Sequence, residues 1–473
     1  MISTFLSILL SGLLPFADST SNRVWMESSV RSGDFRNVYD GAVVSVNRMG
    51  ASASGEYGRM LLSGRFEYGY DYETEVSWRG WMNPYETSFM VCDSIPGNVS
   101  KEIYDMRGTV GVRAGRWILG ADVLYRNALM AKHRDLRNKN TRMDASFAPV
   151  MYYQGRHFGF AASAGYRRST EQAEYIQVDE STEKYLFDVS GLWLYTGAGF
   201  SSSDQKRLKL SDGCFADISV HYKGKSLCAG SEVHVERRSS QQSETGYNNL
   251  LFGNTQGFDF NYALHAEYMA HRLEAGFAFG QMAGSRPLQR QELDPDSKIR
   301  RWFTYGEASD IYWRQVFRGS LNYRYSARKW KLRAGMDYSS ATHSYKEYPL
   351  LFTQSLSFAR PVLEFNMNFA VSRTSGVGIS PSIAWKHVLD GEQFRQELLD
   401  PSLTPAAVEI LAGPLLEEYG YWSADALSCA LSVHAWKNLS RGRIFTLDAG
   451  VGVDCALPGN SRTAISLKIG YQL

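Results

Sequence analysis

The feature that most constrains this chain is a two-residue alternation of apolar and polar side chains, which is clearest at the C-terminus. From residue 461 to the last residue, Leu473, the odd positions are mainly apolar, and the even positions are charged or small. A period of two is typical of a β-strand with one apolar face. A tilted strand crosses the hydrocarbon core of a membrane in about 9–11 residues. This segment is therefore long enough to span a bilayer.

The same alternation recurs along most of the chain, always with an apolar face and a polar or small-residue face. One alternating segment is weak evidence for a sheet, but many with the same chemistry are strong evidence. We therefore predict an all-β protein, a transmembrane antiparallel β-barrel. The alternating segments are 106–114, 117–125, 258–268, 317–325, 330–338, 363–371 and 443–455.

The connections between these segments are of two kinds. Short turns occur at 114–116, 154–156, 223–225, 270–271, 327–328, 373–376 and 438–442. Longer polar stretches separate the hairpins at 69–103, 128–140, 170–183, 238–255, 282–312, 341–357 and 389–422. Short periplasmic turns and long extracellular loops are typical of outer-membrane barrels. Seven hairpins, a first strand at 57–68 and the final strand give about 16 strands, and a weaker pair within 184–211 would give about 18.

The composition fits a barrel and excludes two other classes. A net charge of +2 gives no basic face for nucleic acid, and 44% hydrophobic residues exclude a disordered chain. The mean hydropathy of −0.31 is typical of a soluble protein, but a barrel needs apolar residues only at alternate strand positions. Aromatic residues make up 13% of the chain and gather near predicted strand ends, as in the aromatic girdles of membrane barrels.

The N-terminus predicts export. Residues 5–14 form an apolar run of the length of a secretory signal, although no Lys or Arg precedes Arg23. We expect a signal peptide over 1–19 and a barrel over 57–473. The segment 20–56 between them is left open as a further strand or a periplasmic plug.

The C-terminal strand supports a resemblance to a known group of proteins. Tyr471 is an aromatic residue at the third-last position, which resembles the β-signal of outer-membrane proteins; Leu473 stands where a terminal Phe or Tyr is usual. Together with the export signal and the repeated strands, this makes the chain similar to uncharacterised, porin-like outer-membrane barrels of Bacteroides-type bacteria. The resemblance covers 57–473 and implies an outer-membrane location, but it carries over no substrate and no catalytic residue.

Few residues are arranged for catalysis or metal binding. The five cysteines include Cys214 and Cys228, which are out of register for a cross-strand disulfide, and the nine histidines are scattered. A lipid-face hydrolase would need a Ser–His pair, and the outward candidates are Ser231 and His387. These lie far apart in the sequence. We therefore expect no enzyme, no catalytic residues, no cofactor and no metal site.

The polar face of the strands is the candidate site, because in a barrel it lines the lumen. Its charges are nearly balanced, which leaves a channel and a filled, closed scaffold both open. The loop 389–422 contains Thr404 and Pro405 before helix-forming residues. We expect a short helix that either folds into the mouth of the barrel as a plug or is only a surface feature of the loop. The aromatics of 69–103, among them Trp81, either bind a ligand or pack the loop. The predicted lumen-lining residues are Arg318, Arg324, Lys331, Arg333, Asp337, Glu364, Lys386, Asp448, Asp454, Arg462 and Lys468.

These observations predict a porin or transporter for small polar solutes. The alternatives are a structural or adaptor barrel of a secretion or surface-assembly machine and, with less support, a lipid-face hydrolase. Outer-membrane lipid and small polar solutes are the expected partners, nucleic acid is not, and protein partners are left open.

Overall fold

A computed structural model contains 18 strands that close into one antiparallel barrel, and a separate sheet of three short strands. It describes residues 22–179, 181, 184–190, 194–199, 205–244, 250–296, 298–347, 350–395, 405–439, 443–457 and 459–472. The strands, in chain order, are β1 Arg23–Gly33, β2 Val43–Tyr57, β3 Met60–Val76, β4 Phe89–Cys92, β5 Gly97–Ala114, β6 Trp117–Lys132, β7 Arg137–Gln154, β8 Phe158–Ile176, β9 Tyr185–Ser190, β10 Leu194–Gly199, β11 Gln205–Lys223, β12 Leu227–Glu244, β13 Leu251–Tyr268, β14 His271–Leu293, β15 Arg300–Ser326, β16 Trp330–Glu347, β17 Leu350–Ala370, β18 Ser375–Arg395, β19 Asp425–Asn438, β20 Ile444–Leu457 and β21 Ser461–Gln472.

The barrel is an up-and-down meander closed by its first and last strands. Strand β1 pairs with β2 on one side and with β21 on the other, where Arg23 lies opposite Gln472. Both ends of the described chain therefore lie at the same end of the barrel, together with the short turns. We call this the turn end and the opposite one the loop end. By the rule for outer-membrane barrels, the turn end is periplasmic.

Glycines begin two of the two-residue turns at the turn end. Tyr57 pairs with Met60 and Ala114 with Trp117, so each hairpin turns in two residues. The first residue of each turn is a glycine at positive φ, Gly58 at 62° and Gly115 at 64°. Two-residue hairpin turns require this left-handed conformation, which glycine adopts without steric cost.

The sheet confirms the upper predicted strand number, but for another reason. The two additional strands are β1 and β2, within the segment 20–56 that the sequence left open. The prediction of two barrel strands within 184–211 is wrong. Tyr185–Ser190 and Leu194–Gly199 have 6 residues each, pair with one another, and join Phe89–Cys92 in the small sheet. Segments this short cannot cross a bilayer.

The two faces of the barrel wall are those that the alternation predicts. Phe66, Val110, Leu321 and Leu467 lie on the outer face and are exposed. Arg107 and Asp122, on alternate positions of β5 and β6, pair inside the barrel. A closed sheet with a continuous apolar outer face is the β-structure that satisfies its backbone in a bilayer, so the protein is an outer-membrane barrel. No helix within the described residues is long and apolar enough to cross a bilayer.

The strands extend further at the loop end than hydropathy predicts. The predicted loop 282–312 is largely strand, since β14 continues to Leu293 and β15 begins at Arg300. Similarly, β16 continues to Glu347 and β17 begins at Leu350, within the predicted loop 341–357. Beyond the hydrocarbon core the outer face no longer needs apolar residues, so the alternation fades while the hydrogen-bonded ladder continues.

The main buried cluster lies at the loop end, inside the barrel. Most of its residues outside the wall come from three long connections that fold inward. They are residues 77–96, the segment that carries β9 and β10, and helix α1, Pro405–Ser423. Side chains from these connections pack against lumen-facing residues of the wall. The cluster contains Trp81, Val91, Cys92, Leu186, Val189 and Leu415 from the connections and Tyr175, Tyr312, Tyr345 and Phe352 from the wall.

Candidate functional site in the lumen

Residues 77–96, the connection between β3 and β5, form a plug loop inside the loop end of the barrel. Trp81 is 1% exposed, and its indole Nε1 donates a hydrogen bond to the carbonyl oxygen of Phe89 at 3.1 Å. Asn83 caps a short 3-10 helix, Pro84–Glu86, by accepting a hydrogen bond from the backbone N–H of Tyr85. The aromatics that the sequence analysis left open between ligand binding and loop packing therefore pack the loop.

Hydrogen bonds attach the plug loop to much of the barrel wall. The wall side chains involved come from strands β6, β7, β8, β12, β13 and β15. Most of these bonds go to the loop's backbone, whose donors and acceptors must be satisfied when they are buried. The backbone contacts include Asn140 Nδ2 to Gly80 O at 2.8 Å, Met82 N to Glu171 Oε1 at 2.7 Å, Tyr175 OH to Val91 O at 2.6 Å, Gln242 Nε2 to Phe89 O at 2.8 Å and Arg314 NH1 to Tyr85 O at 3.0 Å.

A buried ion cluster holds the centre of the plug loop. Glu86 Oε2 lies 2.7 Å from Arg142 NH1 and 3.7 Å from Lys209 Nζ. Lys209 Nζ also lies 3.0 Å from Glu171 Oε2, and Arg142 Nε lies 2.9 Å from Asp144 Oδ2. Burial alone would raise the pKa of Glu86, but the charges of Arg142 and Lys209 outweigh it and lower this pKa to about 2. Glu86 is therefore ionised at neutral pH and bound by both cations.

Two further ion pairs hold the ends of the plug loop. Arg79 NH2 lies 2.5 Å from Glu73 Oε2 and also donates to the carbonyl oxygen of Tyr39 at 2.6 Å. Lys132 Nζ lies 2.5 Å from Asp93 Oδ1, and both side chains are only 4% exposed. Burial raises the pKa of Asp93 despite the opposing effect of Lys132. Both ends and the centre of the loop are thus tied to the wall by charge pairs.

Two other connections cover the plug loop. The hydroxyl of Tyr85 donates to Glu418 Oε1 of helix α1 at 2.7 Å and accepts from Asn37 Nδ2 at 2.9 Å. Burial, and the carboxylate of Glu418, raise the pKa of Tyr85. Lys386 Nζ donates to the carbonyl oxygen of Tyr421 at 3.2 Å, which fastens the end of α1 to strand β18. The predicted helix in 389–422 therefore folds over the mouth of the barrel, while Thr404 lies outside the described residues.

The turn end of the lumen contains an open cavity of about 510 Å³ between strands β15, β16, β17 and β19. Its positive charges are Arg324, Lys331 and Arg333, and Glu364 is its acid. Arg333 NH1 lies 3.4 Å from Glu364 Oε2, and its Nε donates to Asn322 Oδ1 at 3.2 Å. Neither Arg324 nor Lys331 makes an ion pair with any described residue. The cavity is completed by Leu332, Asn366, Asn368, His434 and Trp436.

The predicted lumen residues fall into four groups. Arg324, Lys331, Arg333 and Glu364 line the cavity. Lys386 and Arg462 hold connections at the loop end, and Arg462 NH1 lies 2.9 Å from Asp40 Oδ2. Asp448 pairs with His434, and Lys468 pairs with Glu27 at 2.7 Å, across neighbouring strands. Arg318, Asp337 and Asp454 occupy the lumen-facing register of β15, β16 and β20. A role in solute passage stays a prediction for all of them.

The plug tethers Glu86, Glu171 and Lys209 were absent from the predicted lumen residues. Glu171 fell in a predicted loop and Lys209 in the misassigned pair within 184–211. Continuing the lumen-facing register of β8 and β11 past the apolar band would have placed both inside the barrel. The contact of Glu171 with Met82 N and that of Lys209 with Glu86 have no signal in the sequence, because the residues in contact are more than eighty positions apart in the chain.

The other chemical candidates are separated or unclustered. Ser231 lies on β12 and His387 on β18, six strands apart around the wall, or roughly 29 Å at the usual strand spacing. His387 is instead 3.3 Å from Asp425. Cys214 pairs in register with Arg237 and Cys228 with Lys223, so the predicted mismatch of these cysteines is confirmed. Within the described ranges, no three His, Cys, Asp or Glu side chains cluster as metal ligands would.

The chain is similar to several solved structures. It is similar to the copper transporter OprC (9% identity, TM-score 0.41, 96% of this chain and 81% of that one). It is also similar to the outer membrane transporter YddB from Escherichia coli (8%, 0.43, 96% and 81%) and to BauA, the ferric preacinetobactin receptor from Acinetobacter baumannii (8%, 0.44, 96% and 80%). At this level of likeness no function passes from those proteins to this chain. No curated protein matches the sequence. Residues 13–473 match the family described as a family of unknown function (DUF6850), and the chain belongs to that family.

Proposed function

We propose that this protein transports small polar solutes across the outer membrane and that the plug loop, residues 77–96, is its gate. The observation that carries the proposal is the division of a polar lumen into two parts. The loop end is filled by the plug loop, which is held through ion pairs and hydrogen bonds and packs against two other inward-folded connections, and the turn end keeps a cavity of about 510 Å³. A barrel of 16–18 strands leaves an aqueous channel unless something plugs it. Movement of the plug loop, which reaches furthest across the lumen, is the step that we propose opens a path.

The ionic tethers suit a loop that moves. Removing a loop from a wholly apolar core exposes its apolar surface to water, whereas charged groups that separate in a wet lumen are rehydrated. The aromatic side chains of the plug loop pack mainly against the other inward-folded connections, including Leu186, and against the barrel wall at the loop end, including Phe352. We propose that the plug loop moves within the lumen while the barrel wall stays fixed.

A reversible crosslink tests the gate. Thr255 Oγ1 donates to Ser88 Oγ at 3.3 Å, so cysteines at these two positions are close enough to join the plug loop to β13. The protein with Ser88→Cys and Thr255→Cys is reconstituted in a planar bilayer, with each single variant as a control. We expect oxidation to abolish channel openings, and reduction to restore them, only in the double variant. Openings that persist in the oxidised double variant would show that the current does not pass the plug loop.

A structural or adaptor barrel is the second candidate, and one observation favours it. The loop end holds charges that are almost completely buried, such as Lys209 and Glu171, and breaking such pairs is costly. A permanently closed scaffold would retain these contacts. It would give no conductance and no solute-dependent liposome swelling, and it would co-purify with defined periplasmic or surface proteins. The signal peptide over 1–19, the porin-like character and the kinship with Bacteroides-type barrels stay predictions alongside either function.

A further inference from the structure

We infer that the cavity at the turn end binds a small organic anion, of about the size of a monosaccharide, through Arg324 and Lys331. This inference rests on the proposed transport function and gives its substrate class. The unpaired positive charge of the cavity carries the inference.

The charges of this region are arranged in one row across five neighbouring strands. In register, Glu267 lies opposite Arg272, Arg272 opposite Arg324, Arg324 opposite Arg333, and Arg333 opposite Glu364. The outer arginines have acids within 4 Å: Arg272 lies 2.7 Å from Glu274 and 3.7 Å from Glu267, and Arg333 lies 3.4 Å from Glu364. Arg324, in the middle, has none among the described residues. Lys331 is the next lumen-facing residue to Arg333 on β16. Among the described residues, no acid lies within 4 Å of the Lys331 ammonium group either.

The cavity lining contains three cations, Arg324, Lys331 and Arg333, and one acid, Glu364, which leaves an excess of positive charge in the cavity. Like charges at neighbouring strand positions destabilise a sheet unless a counter-charge lies between them. The carboxylate, phosphate or sulfate of a solute supplies that counter-charge, and an arginine fork binds such groups with two parallel hydrogen bonds. Rings of Arg and Lys are also what anion-conducting pores use for selection.

The remaining lining suits a ring-shaped polar solute. Asn366 and Asn368 offer amide groups, and Trp436 offers a flat apolar surface, stacked on His434 with the ring centroids 5.6 Å apart. Two glycines keep the cavity open. The ring of Trp436 lies over Gly376, where an added Cβ would be 2.2 Å from the ring, and Asn322 lies over Gly335, where Oδ1 would be 2.2 Å from an added Cβ. A volume of about 510 Å³ is within the usual range of small-molecule sites.

Equilibrium binding of glucuronate to the purified, detergent-solubilised full-length protein tests the inference, with glucose as the neutral probe of the same shape. We expect glucuronate to bind at least tenfold more tightly than glucose. We expect the double variant Arg324→Gln, Lys331→Gln to lose that preference and Arg324→Lys to keep most of it. Lys329→Gln is the matched control, because it removes an exposed positive charge from the adjacent turn without touching the cavity. The heat-dependent gel shift of a closed barrel checks folding of each variant.

Binding does not require the gate to open, so the two proposals fail separately. Selective glucuronate binding without any conductance would overturn the transport function and leave the anion site standing. Equal binding of glucuronate and glucose, or full glucuronate binding by the folded double variant, would overturn the anion site whatever the conductance.

Discussion

The two ends of the lumen use charged side chains in opposite ways. At the loop end the charges are buried and paired: Lys209 is 3% exposed, Glu171 is 0% exposed, and their charged atoms lie 3.0 Å apart. At the turn end the charges are partly exposed and incompletely paired; Arg333 and Glu364 are 28% and 38% exposed, and Arg324 has no acid nearby within the described residues. Buried pairs fix one arrangement of the chain, whereas unpaired charges in a wet cavity are available to a ligand. This difference between the two ends is why we propose a gate at the loop end and recognition of the solute at the turn end.

The largest expected effect is at the loop end. Lys209→Met removes one of the two cations that Glu86 and Glu171 share and leaves Arg142 as the other, and breaking a buried pair in this way costs about 3–5 kcal/mol. Lys331→Met, at the exposed turn end, is the matched control and should change stability by no more than about 0.5 kcal/mol. Urea unfolding from lipid vesicles gives both free energies. Equal losses for the two variants would remove the distinction between the ends.

A positive charge introduced on the outer face should lower the free energy of unfolding somewhat less than Lys209→Met does, and the same charge in the lumen should lower it very little. Leu467→Arg places a charge on the lipid side of β21 and should cost about 2–4 kcal/mol near the middle of the bilayer. Asn366→Arg places the same charge in the wet lumen and should be mild. The same unfolding measurement applies, and similar costs at the two positions would mean that the inward and outward faces are assigned wrongly.

An ion pair at the turn end should contribute little. Lys468 Nζ lies 2.7 Å from Glu27 Oε2, but the two side chains are 35% and 43% exposed. Exposed pairs contribute about 0.2–1 kcal/mol because water screens the charges. Lys468→Gln should therefore lower the free energy of unfolding by less than about 1 kcal/mol, with less effect in high salt. A loss as large as that of Lys209→Met would contradict the comparison.

Mild acid should have the smallest effect on the central tether. The pKa of Glu86 is lowered to about 2, so the stabilisation from its ionised form is complete above the ordinary glutamate value of 4.5 and is lost as the pH falls through about 2. Between pH 7 and pH 5 the tether should stay intact. The carboxyl carbon shift of Glu86 in nuclear magnetic resonance spectra, assigned by its loss in Glu86→Gln, gives the midpoint. A midpoint at 4.5 or above would mean that Arg142 and Lys209 do not hold this side chain.

The wall of the barrel could be predicted from the sequence because two different solvents act on alternate residues. Lipid selects Leu467 and its neighbours at odd positions of β21, and water in the lumen permits Arg462 and Lys468 at even ones. The alternation did not predict strands where lipid no longer selects apolar residues on the outer face. Strand β2 is rich in Ser, Gly and Ala, so its outer face carries little apolar signal, and the strand tips beyond the bilayer carry almost none.

The plug could not be predicted, because its contacts join residues far apart in the chain. Tyr85 reaches Glu418 across 333 positions, and Gln242 reaches Phe89 across 153. Alternation reports which face of a strand a residue occupies, and it carries no information about which loop folds back against that face. The cavity could be predicted from the sequence only in part. Four of its charged residues were among the predicted lumen positions, but their clustering, and the absence of an acid beside Arg324, depend on the register of β14 to β17.

The most direct test of a gated lumen is single-channel conductance after removal of the plug loop. Residues 79–92 are replaced by a short Gly-Ser linker, and the heat-dependent gel shift checks that the variant is a closed barrel. We predict that the intact protein opens rarely and that the variant carries a large, steady current. A folded variant that conducts no better than the intact protein would contradict the claim that residues 77–96 close an otherwise open channel.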